Sequence, residues 1–176
     1  MLHSQLVFEG EVKESHSSEA SDGKISTSIT FTVIDTIKGH HLGDTLTLDF
    51  LGGTVGETTQ MIGGMQLPQP GEHGIYFVET TTRKQINPLF GWSQGHFIAK
   101  DSAGIDRVMT NSGRPLTGVT DILPKTSAGL SNGVARGVIA VDKQSTGTGL
   151  STLEFKASLR MIIKRLQNEG KLTSQP

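Results

Sequence analysis

The feature that most restricts the fold of this chain is an alternating segment at residues 25–37. Ser and Thr recur at every second position of its first half, with mostly apolar residues between them. A period of two sends successive side chains to opposite faces of a β-strand, and β-branched residues favour that conformation. We therefore predict a long strand with one buried face. That face is formed by Ile25, Thr27, Ile29, Phe31, Val33, Asp35 and Ile37.

Shorter apolar segments, separated by turn residues, supply the neighbouring strands. We predict these strands at residues 6–12, 46–50, 75–79, 95–100 and 105–110. Residues 14–24 are polar and contain Asp22-Gly23, which predicts an exposed hairpin loop. Short antiparallel strands in this number are typical of a barrel or a sandwich, and we expect a small, mainly β, antiparallel barrel of about five or six strands.

An amphipathic α-helix is predicted near the C-terminus, at residues 151–169. Ser151 followed by Glu154 forms a capping-box pattern, and Gly170 ends the segment. Apolar residues recur at helical spacing, so one face should pack on the sheet. These residues are Phe155, Leu159, Ile162, Ile163 and Leu166. The opposite face is expected to be solvated, although its basic residues also suit a membrane surface or a partner. It carries Lys156, Arg160, Lys164 and Arg165.

The length of the chain, 176 residues, fits a single domain at residues 1–176. We assign residues 5–110 to the β core, residues 111–150 to a connector rich in Gly, Ser and Thr, and residues 151–169 to the helix. The composition of the connector predicts mobility. Only residues 133–141 within it could add a strand or a helical turn.

Charge and composition argue against several classes of function. The 16 basic and 17 acidic residues leave a formal net charge of -1, too balanced for a general nucleic-acid-binding surface. With 0 cysteines, the chain has no disulfide, thiol nucleophile or thiolate metal ligand. No apolar segment approaches the roughly 20 residues that span a bilayer. We therefore predict neither nucleic-acid binding nor a membrane span.

Three patterns that could carry chemistry lack the context that their chemistry needs. His40 and His41 are adjacent, so an extended backbone points them to opposite sides and one metal ion rarely binds both. Ser93 lies in a Gly-x-Ser-x-Gly pattern, but a strand is predicted after it, where a hydrolase elbow needs a helix. Glu9 and Glu11 share a strand face and are interpreted as exposed carboxylates. We predict no catalytic residue, metal or cofactor.

A recognition surface is predicted around a long loop at residues 51–74, in which glycines and prolines recur. These glycines lack the Gly-Lys-Ser/Thr ending and the following helix of a phosphate-binding loop. A loop of this length on a rigid sheet, beside Trp92, could present a binding surface; alternatively, Trp92 covers one end of the barrel. The candidate partner surface comprises Gly53, Thr54, Val55, Gln60, Met61, Met65 and Trp92.

The order of several motifs resembles that of a family of exported, uncharacterised bacterial proteins. The motifs are LVFEGEV at residues 6–12, ITFTVIDTIKG at 29–39, LGG at 51–53, PGE at 70–72 and GHF at 95–97. The first two are also similar to the OB-like barrel of tissue inhibitors of metalloproteinases and netrin modules. The resemblances imply an OB-like barrel with an edge that faces a protease. The zinc-chelating N-terminal cysteine of those inhibitors has no counterpart here.

The location of the protein is predicted from the same resemblance. Residues 1–5 lack the basic region and the apolar stretch of a secretory signal, so the protein is either cytosolic or has had its signal peptide removed. The resemblance to an exported family favours an extracytoplasmic location, periplasmic or secreted.

Three functions are compatible with these expectations. The leading hypothesis is a non-enzymatic exported binding domain that recognises a protein, with a secreted metalloprotease as a candidate partner. The first alternative is a small hydrolase that uses Ser93 or a His-bound metal. The second is an oligosaccharide-binding barrel.

Overall fold

The computed structural model describes residues 4–120, 138–140 and 149–170. Within these residues the secondary structure is mainly β, with one 3-10 helix at Trp92–Gly95 and one α-helix, α1, at Thr152–Asn168. The strands are β1 (Leu6–Glu19), β2 (Ile25–Lys38), β3 (Thr45–Leu51), β4 (Gly53–Val55), β5 (Thr58–Gln60), β6 (His73–Val78), β7 (His96–Ser102), β8 (Ile105–Thr110), β9 (Leu116–Val119) and β10 (Val138–Ala140).

The main layer is a six-stranded antiparallel sheet with strand order β3-β2-β1-β6-β7-β8. The prediction of an antiparallel, mainly β domain with a C-terminal helix is confirmed. The prediction of a closed barrel is wrong, because β3 and β8 do not pair in the described part of the chain. Instead, β8 forms bridges to Ser151 and Pro115, so that its outer edge is occupied by other segments of the same chain.

The first strand extends well beyond its apolar part. Residues 14–19 were predicted to belong to a loop, but they pair with β2 from Glu14 opposite Thr30 to Glu19 opposite Ile25. Their side chains are mostly exposed, so an apolar pattern could not reveal the pairing, which is made by backbone groups. The turn itself lies at Asp22-Gly23 as predicted, where Gly23 has a φ of 80°.

Two apolar cores lie on opposite faces of the sheet. Alternate residues of β1 divide between them, since Phe8 packs into the first core and Val7 into the second. The first core is formed by Leu6, Phe8, Val12, Ile29, Phe31, Leu48, Phe50, Tyr76, Val78 and Leu89. The second core lies under the helix and is formed by Val7, Ile37, Ile75, Phe77, Phe97, Val108, Leu116, Phe155 and Leu159.

A β-bulge in β2 changes which core the strand faces. Glu9 and Gly10 are opposite Asp35 and Val33, which leaves Ile34 as an extra residue with 55% exposure. An inserted residue reverses the alternation beyond it. Val33 therefore packs against the first core, whereas Ile37 belongs to the second. The predicted single face from Ile25 to Ile37 is wrong for its last part.

The helix forms as its sequence predicts. Both hydrogen bonds of the capping box between Ser151 and Glu154 are present, and Gly170 has a φ of 67° just beyond the C-terminus. Phe155, Leu159 and Leu166 are buried. Ile162 and Ile163 are half-buried, and Ile163 packs against the second core.

The connector contributes one small sheet. Within it β9 pairs with β10, so of the strand or helical turn that residues 133–141 could add, a strand is present at Val138–Ala140. The mobility predicted for residues 111–150 stays a prediction, and residues 121–137 and 141–148 of this segment lie outside the described residues. No described helix has the length and apolar character needed to cross a membrane.

Candidate functional site

Trp92 is held in an unusual backbone conformation. Its φ is 57°, and the preceding Gly91 has a φ of 58°, so the chain makes two successive left-handed residues before the 3-10 helix. A bulky residue in this region carries a conformational cost, which the surrounding structure must offset. The Trp92 N–H donates to the Leu89 carbonyl at 3.0 Å, and Leu89 is buried in the first core. This hydrogen bond therefore ties the backbone of Trp92 to the first core.

The indole lines a cleft of about 610 Å³ at the end of β3. Apolar lining comes from Phe50, Leu51, Ile86 and Trp92. Charged lining comes from Asp49, Glu79 and Lys84. The Leu51 N–H donates to the Ile86 carbonyl at 2.9 Å, which holds the segment around Ile86 against the end of β3. The cleft thus combines an apolar floor with charged groups, as sites for peptides and small ligands do.

The other residues of the predicted partner surface lie in or beside a hairpin. Gly53, Thr54 and Val55 form β4, which pairs with β5, and Gln60 accepts a hydrogen bond from the Ile25 N–H at 2.7 Å. A Cβ atom on Gly53 would lie 2.1 Å from Thr27 Oγ1, so β4 packs directly on the sheet. Met61 is 86% exposed, and Met65 is half-buried. The structure brings Leu51 and Trp92 together, whereas residues 53–65 do not line the cleft.

A network of ion pairs joins the helix to the sheet. Lys156 Nζ lies 2.5 Å from Glu9 Oε2 and 2.9 Å from Asp35 Oδ2. Arg160 donates to Asp35 at 2.6 Å. His73 Nε2 lies 3.0 Å from Glu9 Oε1. Glu9 and Asp35 are directly opposite on neighbouring strands, and Lys156 offsets the repulsion that two carboxylates in this position would have.

The contacts of the network explain the protonation of its members. Hydrogen bonds from His73 and Lys156 lower the pKa of Glu9 despite its burial. The hydrogen bond to Glu9, together with the charges of Glu9, Asp106 and Glu11, raises the pKa of His73. Both carboxylate oxygens of Glu9 are occupied, which suits a structural anchor. The predictions of an exposed Glu9 and of a solvated Lys156 are wrong.

A second polar cluster closes one end of the first core. His96, with 2% exposure, lies with Nε2 2.5 Å from Glu72 Oε1, and the Tyr76 hydroxyl donates to the same oxygen at 3.1 Å. The Tyr76 ring stacks between Phe8 and His96. Burial, with the nearby charge of Glu72, raises the pKa of Tyr76 far above its ordinary value. Tyr76 therefore acts as a neutral hydrogen-bond donor.

The residues of the alternative chemical hypotheses are not brought together. Ser93 lies in the 3-10 helix that leads directly into β7. His41 Nε2 is 3.1 Å from the Thr45 carbonyl oxygen, and His40 is exposed. Within residues 4–120, 138–140 and 149–170, no group of three or more His, Cys, Asp or Glu side chains is arranged to hold a metal ion.

Comparisons with protein-family models, curated proteins and solved structures gave no match to this chain. The relationships to the exported bacterial family and to the inhibitor barrels therefore stay predictions from the motifs quoted above.

Proposed function

We propose that this protein is a non-enzymatic binding domain that holds a peptide segment of another protein in the cleft beside Trp92. The observation that carries the proposal is the cleft itself, of about 610 Å³, which Trp92 lines together with Leu51 and Ile86. Ile86 is 48% exposed, which leaves apolar surface open to a ligand. Tryptophan is among the residues that most often dominate protein-binding energetics.

The chemistry of the cleft suits a peptide that carries both apolar and charged side chains. Asp49 and Glu79 place carboxylates beside the apolar floor, and Lys84 adds one positive charge. An apolar side chain would be desolvated against Trp92 and Ile86, while a basic side chain would meet the carboxylates. Such a division between an apolar centre and charged groups gives affinity and specificity together.

For the class of partner, we propose a protein outside the cytoplasm. The support is the motif resemblance to an exported family and to the OB-like inhibitor barrels. A secreted metalloprotease is the first partner to test. The chain has no cysteine to chelate a catalytic zinc, so contact with it would need another anchor, for which we propose the cleft.

The test uses the chain's single Trp as a reporter of the cleft. A library of displayed random peptides is selected on the protein, and the selected peptides are titrated while Trp92 fluorescence is followed. We expect saturable fluorescence changes and at least about tenfold weaker binding by Trp92→Ala, measured by calorimetry. Met61→Ala is the control, since Met61 is exposed but does not line the cleft. Selected peptides that bind without changing Trp92 fluorescence would contradict the proposal.

A further inference from the structure

The outer edge of β3 presents backbone groups that point away from the sheet. At its two ends, the Leu51 N–H donates to the Ile86 carbonyl and the Thr45 carbonyl oxygen contacts His41. Alternate residues of an antiparallel strand turn their backbone groups to the same side. Thr47 and Asp49 therefore also face outward, and neither has a backbone partner on that side among the described residues.

Within the described part of the chain, this edge lacks the features that usually prevent strand pairing. The pairing of β3 with β2 runs from Ser26 opposite Leu51 to Thr32 opposite Thr45 without a register break. The strand sequence, TLTLDFL, contains neither Lys nor Pro and has one charged residue, Asp49. Edge strands are ordinarily protected by bulges, lysines, prolines or a covering segment. A regular, weakly charged edge is therefore suited to accept another strand.

The open part of the edge has defined limits. His41 covers its beginning and Ile86 covers its end, and the six steps from Thr45 to Leu51 span roughly 20 Å at strand spacing. Without the two covered end positions, the edge can pair with an incoming segment of about five residues, at positions 46–50. Asp49 and Leu51 also line the cleft beside Trp92, so an added strand would end beside it.

We infer that β3 is a docking strand, on which an extended segment of the partner protein pairs as an additional strand through Thr47 and Asp49. The segment places one apolar side chain in the cleft beside Trp92 and one Lys or Arg side chain near Asp49 and Glu79, two acidic residues that line the cleft. Main-chain hydrogen bonds supply affinity in this mode, and the alternating side chains supply specificity. The inference rests on the proposed function. It adds which backbone groups of β3 pair with the bound segment.

The experiment uses a synthetic peptide selected for binding in the Trp92 cleft. Thr47→Pro removes the outward N–H at a position where an edge strand tolerates proline, and Thr47→Val keeps that N–H while removing the hydroxyl group. We expect Thr47→Pro to weaken binding at least about tenfold and Thr47→Val to bind like the wild type. Circular dichroism and thermal unfolding check that both variants are folded.

Amide hydrogen exchange on the wild-type chain tests the same inference without a substitution. In the free protein the Thr47 and Asp49 amides are expected to exchange rapidly, and the bound peptide is expected to protect both. A peptide that changes Trp92 fluorescence but leaves these amides unprotected, or binds Thr47→Pro as well as Thr47→Val, overturns the strand addition and leaves the proposed function standing. If no peptide changes Trp92 fluorescence, both fail.

Two other occupants of the edge give distinct results. A second copy of this chain would produce a dimer in solution, with protection of Thr47 and Asp49 that weakens on dilution. A segment of the same chain would protect these amides in the free monomer at every concentration. Either result overturns the inference.

Discussion

The two edges of the sheet differ in how far other segments of the chain cover them. At the β8 edge, the Val108 N–H donates to the Leu150 carbonyl, and Arg107 and Met109 form bridges to Ser151 and Pro115. At the β3 edge, only the ends are covered, and Thr47 and Asp49 lack backbone partners within the described residues. The chain thus uses its own connector and helix to close one edge. This difference indicates that the open edge is the side on which an external strand can pair.

The largest effect on stability is expected from a substitution that weakens the packing of the helix next to the β8 edge. Phe155, on the inner face of the helix, is fully buried and contacts Phe97. Phe155→Ala should therefore lower the free energy of unfolding by about 3–5 kcal/mol. In chemical denaturation, Leu153→Ala is the control, because Leu153 is 72% exposed. Exchange of the Val108 amide should accelerate more than that of β3 amides. A decrease in the free energy of unfolding of about 1 kcal/mol or less would show that Phe155 does not hold the helix on the sheet.

The ion pairs between helix and sheet should contribute the next largest effect. Glu9→Gln leaves Lys156 without one of its two carboxylate partners, and we expect a loss of roughly 2–3 kcal/mol in the free energy of unfolding. Glu11→Gln is the matched control on the same strand, since Glu11 is exposed. Equal stabilities of the two variants in urea would contradict the anchoring role of Glu9.

The His73 contact should make stability depend on pH. Its raised pKa means that the protonated form is favoured in the folded state. This contribution is fully present below the usual histidine pKa of 6.5 and disappears as pH rises through the folded-state pKa. His73→Gln should therefore cost about 1 kcal/mol near pH 5.5 and much less near pH 9. Denaturation of His16→Gln, at an exposed position, is the control. If His73→Gln lowers the free energy of unfolding equally at both pH values, protonation of His73 is not linked to stability.

The smallest effect on stability is expected at the open edge itself. Thr47→Lys places a charge on β3, where Thr47 is exposed and contacts Thr30 Oγ1 at 3.0 Å. We expect a change of less than about 0.5 kcal/mol in thermal unfolding, because few contacts are lost. Binding of the selected peptide should nevertheless weaken, since edge lysines oppose strand pairing. A large loss of stability would mean that Thr47 supports the fold as well as the edge.

Local sequence patterns predicted most of the sheet and the helix. The six strands of the main sheet correspond to the predicted segments, and the Ser151 capping box marked where the helix begins. The hairpin of β4 and β5 was missed because strands of three residues are too short to show a period. The bulge at Ile34 was missed because an apolar residue in an alternating segment does not signal an insertion.

The functional surface was harder to predict because it depends on contacts between distant segments. Trp92 was singled out by its type and its neighbouring loop, but the cleft requires Leu51 and Ile86 to lie beside it. Likewise, Glu9 and Lys156 are separated by 147 positions, so no local pattern could show that they form a pair. The open β3 edge follows from strand order, which single segments do not specify.

The bulge at Ile34 also affects how the molecule unfolds. Because it turns the later part of β2 toward the helix, one continuous strand contributes Phe31 to one interior and Ile37 to the other. Unfolding of β2 would therefore remove buried side chains from both interiors. The two halves of the molecule are thus mechanically coupled, and heat should melt them in a single transition rather than as separate modules.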